Sequence, residues 1–205
     1  MPFPATTNAD YFTFNVHSSL LLVGQTGSGK TELVQRYIKR LERAFTPEQM
    51  QYILYDLKQV GIGTKDGGGA KAEYLYTPVR TGKPEYVDYL EELADLAQAR
   101  AEGKEPKDKL LFIYIEECDL AVQYPERFHA AVMTINKYAR MANMKLVFST
   151  SSPRRDVIPP DFRDSFELIL SGPLAGKFDE ETLGVSDTQS IMFPYEFIVK
   201  EVKAG

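Results

Sequence analysis

Tryptophan is absent, cysteine occurs once, at Cys118, and histidine twice in a chain of 205 residues. A single thiol excludes an internal disulfide and suits a reducing compartment. Two histidines and one cysteine are too few for an ordinary zinc site unless carboxylates or a second chain contribute. No apolar run approaches the roughly eighteen residues a membrane-spanning helix needs. The best are Leu20–Val23 and Leu110–Ile115. The start, Met1-Pro2-Phe3-Pro4, carries neither a basic region nor an apolar stretch, so no secretory signal is expected and the chain reads as cytoplasmic. Excess positive charge is also missing: 24 basic against 29 acidic side chains give −5, which argues against a monomer wrapped in nucleic acid.

Apolar residues at 43% and charged ones at 26% are close to the globular average. The length suits one ordinary domain spanning residues 1–205, with residues 1–17 as an irregular lead-in. Charge is unevenly placed: Lys58 to Pro84 holds five basic and two acidic residues, a local +3. Such a segment either faces a polyanion or is a solvated loop.

Ser19–Val23, Gln51–Tyr55, Leu110–Ile115, Lys145–Ser149 and Phe166–Leu170 read as buried strands, and Ile191–Phe193 with Phe197–Val202 as a closing hairpin. Between them, three sets of apolar residues recur at helical spacing. These are Leu33, Val34, Tyr37, Ile38 and Leu41; Tyr86, Leu90, Leu93 and Ala97; and Phe128, Val132, Ile135 and Ala139. Strands alternating with helices predict an α/β domain around a mostly parallel sheet. Gly61–Gly69, with five glycines in nine residues, predicts a loop.

Gly24-Gln25-Thr26-Gly27-Ser28-Gly29-Lys30-Thr31 fits the pattern G-x-x-x-x-G-K-[ST] between an apolar strand and an amphipathic helix. Glycines let the backbone curl so that successive N–H groups face a β-phosphate at a helix N-terminus. Lys30 adds a charge toward the β- and γ-phosphates, and the Thr31 hydroxyl is a magnesium ligand candidate. The pattern predicts nucleoside triphosphate binding. Leu110–Ile115 runs into Glu116-Glu117, the form of a Walker B element. An acid at a strand end can hold the magnesium shell, and the next can orient and deprotonate an attacking water. The second acid, and the lack of an arginine-rich lid, favour hydrolysis over transfer to an acceptor.

The ordered motifs resemble the FtsK/SpoIIIE–HerA superfamily of motor ATPases from about Ser18 to Phe193. Ser19–Thr31 is similar to that group's phosphate-loop strand, and Asp56-Leu57-Lys58 stands where it has Asp-Pro-Lys. Tyr74–Val79 resembles the short strand that follows. Tyr138-Ala139-Arg140-Met141-Ala142 with Lys145–Thr150 resembles its helix-into-strand, and Ser152-Pro153 with Asp156-Val157-Ile158 resembles the Arg-Pro-Ser-x-Asp-Val-Ile signature.

The resemblance implies a RecA-like P-loop fold with a C-terminal hairpin. It also implies a hexameric ring, and ATP-driven movement of double-stranded DNA in segregation, conjugation or genome packaging. It further implies ATP and Mg2+ as cofactors, with Lys30, Thr31 and Glu116 at phosphate and metal, and Glu117 as catalytic base. Arg140 becomes the candidate finger completing a neighbour's site, with Arg127, Arg154, Arg155 and Arg163 as rivals. Glu116 stands where the group has aspartate, and Ser151 where it carries a glutamine that senses the γ-phosphate. The group's membrane segments, linker and small winged-helix reader have no counterpart here, so the expectation is a motor core alone, with a capsid or membrane protein as a possible partner. The segment Lys58–Pro84 is the candidate pore contact.

Two other functions stay open: a polypeptide-pumping secretion ATPase of the same superfamily, mildly favoured by the acidic balance, and a poorly hydrolysing assembly scaffold. His129, Cys118 and the tyrosines Tyr74, Tyr76, Tyr86 and Tyr89 read as structural residues.

Overall fold

The computed structural model describes residues 7–8, 18–56, 71–77, 85–116, 120–191 and 196–202. Among the described residues seven strands form one sheet: β1 (Thr7–Asn8), β2 (Ser19–Val23), β3 (Met50–Asp56), β4 (Leu110–Glu116), β5 (Met144–Thr150), β6 (Leu168–Ser171) and β7 (Glu196–Glu201). Their spatial order is β1-β7-β6-β2-β5-β4-β3. β6, β2, β5, β4 and β3 are parallel, while β7 runs antiparallel to β6 and β1 antiparallel to β7. This is an α/β architecture around a mostly parallel sheet, with an antiparallel pair at one side.

Every residue of β2 and β4 is buried, which is why these strands read as unbroken apolar runs: helices cover both faces. On one face α1 (Lys30–Ala44) lays Leu33, Val34, Tyr37, Ile38 and Leu41 over Leu20, Leu22, Phe112, Tyr114 and Val147. On the other, α2 (Glu85–Ala101) and α4 (Pro125–Tyr138) cover Leu21, Val23, Ile113, Ile115, Leu146 and Phe148. α2 ends where Gly103 takes φ 75°, the left-handed conformation that closes a helix at low cost, as the chain turns toward β4. α2 and α4 are also tied at the surface, where Arg127 donates to Asp88 (2.6 Å) and Glu91 (2.8 Å).

The strands and the three long helices lie close to where periodicity places them. Four expectations need correction or bounding. The first is Phe166–Leu170, where the strand begins only at Leu168; Phe166 belongs to the preceding turn yet is buried against Phe162 at 5.3 Å. Second, short helices α3 (Leu120–Gln123), α5 (Pro160–Asp164) and α6 (Lys177–Leu183) fill connections that carry no legible period.

Third, the stretch Tyr74–Val79 is not a strand in its described part. A 3-10 turn over Ala72–Tyr74 leads to a single parallel bridge between Leu75 and Tyr52. Fourth, β7 is antiparallel to both β6 and β1, and of the other arm of the expected closing hairpin, Ile191–Phe193, only Ile191 is described: it caps a 3-10 turn, and residues 192–195 lie outside the described residues. The glycine-rich 61–69 and most of the lead-in also lie outside them.

Tyr74 and Tyr86 are buried, as structural residues should be, whereas Tyr76 is exposed. His129 packs on Phe162 at 4.6 Å, and its Nε2 donates to the Val157 carbonyl at 3.0 Å. Burial holds its pKa below the usual imidazole value. It is a half-buried packing histidine.

Candidate nucleotide site

In an open parallel sheet, ligands bind beyond the carboxyl ends of the strands, where the chain leaves neighbouring strands in opposite directions. β2 is that place here: β5 lies on one side of it and β6 on the other. The phosphate loop leaves β2 and is stitched to both neighbours. Gly24 N–H donates to the Thr150 carbonyl (3.3 Å), Gln25 N–H to the Pro173 carbonyl (2.9 Å), and Gly172 N–H to the Val23 carbonyl (2.8 Å).

Glycine is required at specific points. A side chain at Gly24 would place its Cβ 2.8 Å from Ser28 Oγ and 3.3 Å from Gly172 Cα. Gly27 and Gly29 adopt φ 86° and 94°, left-handed values that let the loop curl and pass directly into α1. Gln25, Thr26 and Gly27 stand exposed at the crest; Ser28 and Lys30 are buried beneath it. Lys30 Nζ donates to the carbonyls of Gly24 (2.7 Å) and Gln25 (3.2 Å), so its charge is already drawn over the loop.

Two motifs distant in sequence converge here. The Thr31 hydroxyl, in the first turn of α1, donates to Glu116 Oε1 at the end of β4 across 2.7 Å. Glu116 is a buried acid in register with Ser149 of β5. A hydroxyl and a carboxylate in direct contact at a helix N-terminus form a hard-oxygen donor set that suits magnesium. The extra methylene of glutamate over aspartate does not prevent the contact. Glu117, Cys118 and the Leu57–Lys58 pair lie outside the described residues.

Ser151 sits one residue beyond β5, half-buried. Thr150 Oγ1 accepts a hydrogen bond from Ser152 N–H (3.1 Å), which occupies that hydroxyl in the turn.

The structure separates Arg140 from this cluster. Its guanidinium donates to Glu167 at 3.4 Å, and Glu167 also accepts from Ser18 N–H at 2.7 Å. Ser18 and Glu167 immediately precede β2 and β6, so the pair marks the amino-terminal edge of the sheet. A five-residue strand is about 17 Å long, which puts Arg140 out of reach of its own chain's phosphate loop. Of its rivals, Arg127 is held by α2. Arg155 follows β5 at the carboxyl edge and lies over the exposed Phe178 ring at 5.6 Å. Arg154 pairs with Asp156 at 3.0 Å, and Arg163 with Asp164 at 2.6 Å.

Among the described residues no cluster of three or more histidine, cysteine, aspartate or glutamate side chains forms a separate metal site. Within them no helix is long and apolar enough to cross a membrane. Of the segment 58–84 only residues 71–77 are described, with Lys71 Nζ 4.0 Å from Glu42 and 5.8 Å from the Tyr74 ring centre.

Known proteins are similar to the chain in sequence and in fold. No family model matches the chain. It is 27% identical over 169 residues to the DNA translocase FtsK of Streptomyces coelicolor, covering 68% of this chain and 18% of that relative's length. Solved structures also share the fold. The conjugation coupling protein TcpA of pCW3, solved as a monomer with ATPγS, has a TM-score of 0.68 at 16% identity, over 90% of this chain and 57% of that one. The cytoplasmic domain of the type VII secretion ATPase EccC of Thermomonospora curvata gives 0.65 at 18% identity, over 92% and 24%. The genome packaging NTPase B204 of Sulfolobus turreted icosahedral virus 2, with ATPγS, gives 0.58 at 16% identity, over 90% and 92%.

Proposed function

We propose, starting from a chain that is FtsK/SpoIIIE-like in sequence and fold, that it hydrolyses ATP to drive double-stranded DNA through a ring of its own copies. The observation that carries this reading is the Thr31–Glu116 hydrogen bond at the mouth of a glycine-built phosphate loop. It joins the two motifs a P-loop ATPase needs to hold a magnesium-bound triphosphate.

Each candidate residue is assigned a task in this reading. N–H groups of Gly27 to Thr31 and the positive end of α1 face the phosphates. Lys30 neutralises charge on the β- and γ-phosphate oxygens. Thr31 and Glu116 would hold Mg2+, which supplies charge neutralisation at those oxygens when bound. Glu117, next along the chain, is proposed to orient and deprotonate the attacking water, while Ser151 senses the terminal phosphate. Arg140 serves only in trans, because it lies at the opposite end of its own sheet; this requires an oligomer, proposed as a hexamer. The basic segment 58–84 is proposed to track DNA phosphates without reading bases. A capsid or membrane protein is the partner such a core would dock on, in the cytoplasm.

The support from relatives is of stated kinds: a curated DNA translocase in sequence, and a conjugation coupling protein and a packaging NTPase in fold. A polypeptide cargo is the second reading, favoured by the fold likeness to a secretion ATPase and by the net charge of −5. Hydrolysis measured with and without long duplex DNA separates them, with oligomeric state followed by light scattering. Strong stimulation by DNA, lost in Lys30→Ala and Glu117→Gln, is expected. An assembled protein whose turnover ignores duplex DNA of any length refutes the DNA reading.

A further inference from the structure

Ser149 is fully buried in the centre of the sheet, and its hydroxyl has no hydrogen-bond partner among the described residues. A buried hydroxyl without a partner costs about 1–3 kcal/mol, so a serine here calls for a reason. Its neighbours supply one. In the parallel register Ser149 stands beside Glu116 on one side and Leu22 on the other. Paired strands lie about 4.8 Å apart, and directly opposed residues point to the same face. That face is the one α1 covers, since Val147 two residues earlier and Tyr114 and Phe112 on β4 all pack under α1. Thr31 reaches Glu116 from the same side. The Ser149 hydroxyl therefore lies under the first turn of α1, next to the acid that Thr31 grips.

We propose that Ser149 is a positioning residue of the nucleotide site: its hydroxyl fixes the Glu116 carboxylate in the magnesium-bound state, directly or through one water of the metal's shell. The hydroxyl hydrogen turns about the C–O bond and the oxygen has three staggered positions about Cα–Cβ, so the group can remain without a partner in one state and donate in the other. Glutamate makes this useful. Its additional rotatable bond leaves the carboxylate less fixed than an aspartate would be, and a second hydrogen bond beside the one from Thr31 restores the orientation. The inference rests on the nucleotide-binding reading above and adds a residue that neither the phosphate loop nor the acidic strand end contains.

The test is thermal unfolding of the full chain alone, with ATPγS plus EDTA, and with ATPγS across a magnesium titration. Wild type is compared with Ser149→Ala, Ser149→Thr and Ser149→Cys, the last keeping the volume with a weak donor. Ser149→Ala should leave the protein without nucleotide at least as stable, and should leave the gain from magnesium-free ATPγS unchanged. The magnesium concentration giving half of the further gain should rise about tenfold, the loss of one hydrogen bond to a charged group. Ser149→Thr should restore the wild-type titration and Ser149→Cys should follow alanine. Superimposable magnesium titrations for wild type and Ser149→Ala, or for wild type and Ser149→Cys if alanine does not fold, overturn the inference while leaving the nucleotide reading intact. A wild type that ATPγS and magnesium fail to stabilise overturns both, and is recognised without any variant.

Discussion

Thr31 and Glu116, eighty-five positions apart in the chain, meet across 2.7 Å where the first turn of α1 faces the end of β4. The contact is made by the fold rather than by either motif, because it requires β4 and β2 to be separated by a single strand, β5.

If these two side chains act as one unit, their losses should not add. Thr31→Ala and Glu116→Gln should each cut turnover by about a hundredfold or more, as expected for a group that holds charge in the transition state. The double variant should be hardly worse than the poorer single one. Fully multiplicative losses would show that the two residues serve the reaction separately.

Gly24 offers a steric test of the loop. A methyl group there would sit 2.8 Å from Ser28 Oγ, so Gly24→Ala should weaken nucleotide binding while the sheet stays folded. Adding Ser28→Ala removes the crowding oxygen, whose loss breaks no hydrogen bond among the described residues. Affinity should recover in part, the Gly172 backbone at 3.3 Å remaining in the way. Titration with a fluorescent ATP analogue measures both steps; a double variant weaker than Gly24→Ala would rule out this explanation.

The opposite edge of the sheet should respond to alkaline pH. Burial pulls the Lys145 ammonium down to about 8, against the attraction of Glu167 and with Arg140 adding to the fall. An unfolded chain keeps that proton up to about 10.4. Between these values the unfolded state binds more protons, so stability rises with pH from about 8 to about 10.4, and the penalty is fully present below 8. Urea midpoints for wild type should therefore climb relative to Lys145→Met across that window. Parallel profiles would show that the lysine is solvated.

Phe128 anchors α4 in an aromatic cluster, with ring centres 5.5 Å from Phe148 and 6.0 Å from Phe162. It is fully buried. Phe128→Ala should cost about 3–5 kcal/mol by denaturant unfolding, the range for a large aromatic lost from a core. A change below about 1 kcal/mol would mean that the cluster is not close-packed.

How much of this is legible in the sequence depends on how local the cause is. β2, β4 and α1 are plain because burial on both faces, or a five-residue apolar stripe, marks each within a short window. The phosphate loop is plain for the same reason: eight contiguous residues carry its chemistry. α5 and α6 are not, at five and seven residues, because too few turns exist to show a period. Phe166 misleads the strand boundary because a turn residue plugged into the core looks like a strand residue. Ser149 and Arg140 lie beyond reach for another reason. The neighbour of one across the sheet depends on register between β4 and β5, and the remoteness of the other on which edge of the sheet its turn occupies.

Movement along DNA is the central claim, and displacement of a triplex-forming oligonucleotide from a linear duplex measures it most directly. With ATP, the protein should release the oligonucleotide at a rate that falls as the duplex leading to it lengthens, and Lys30→Ala should release none. Duplex-stimulated hydrolysis with the oligonucleotide left in place would contradict translocation and leave an ATPase that binds DNA without travelling on it.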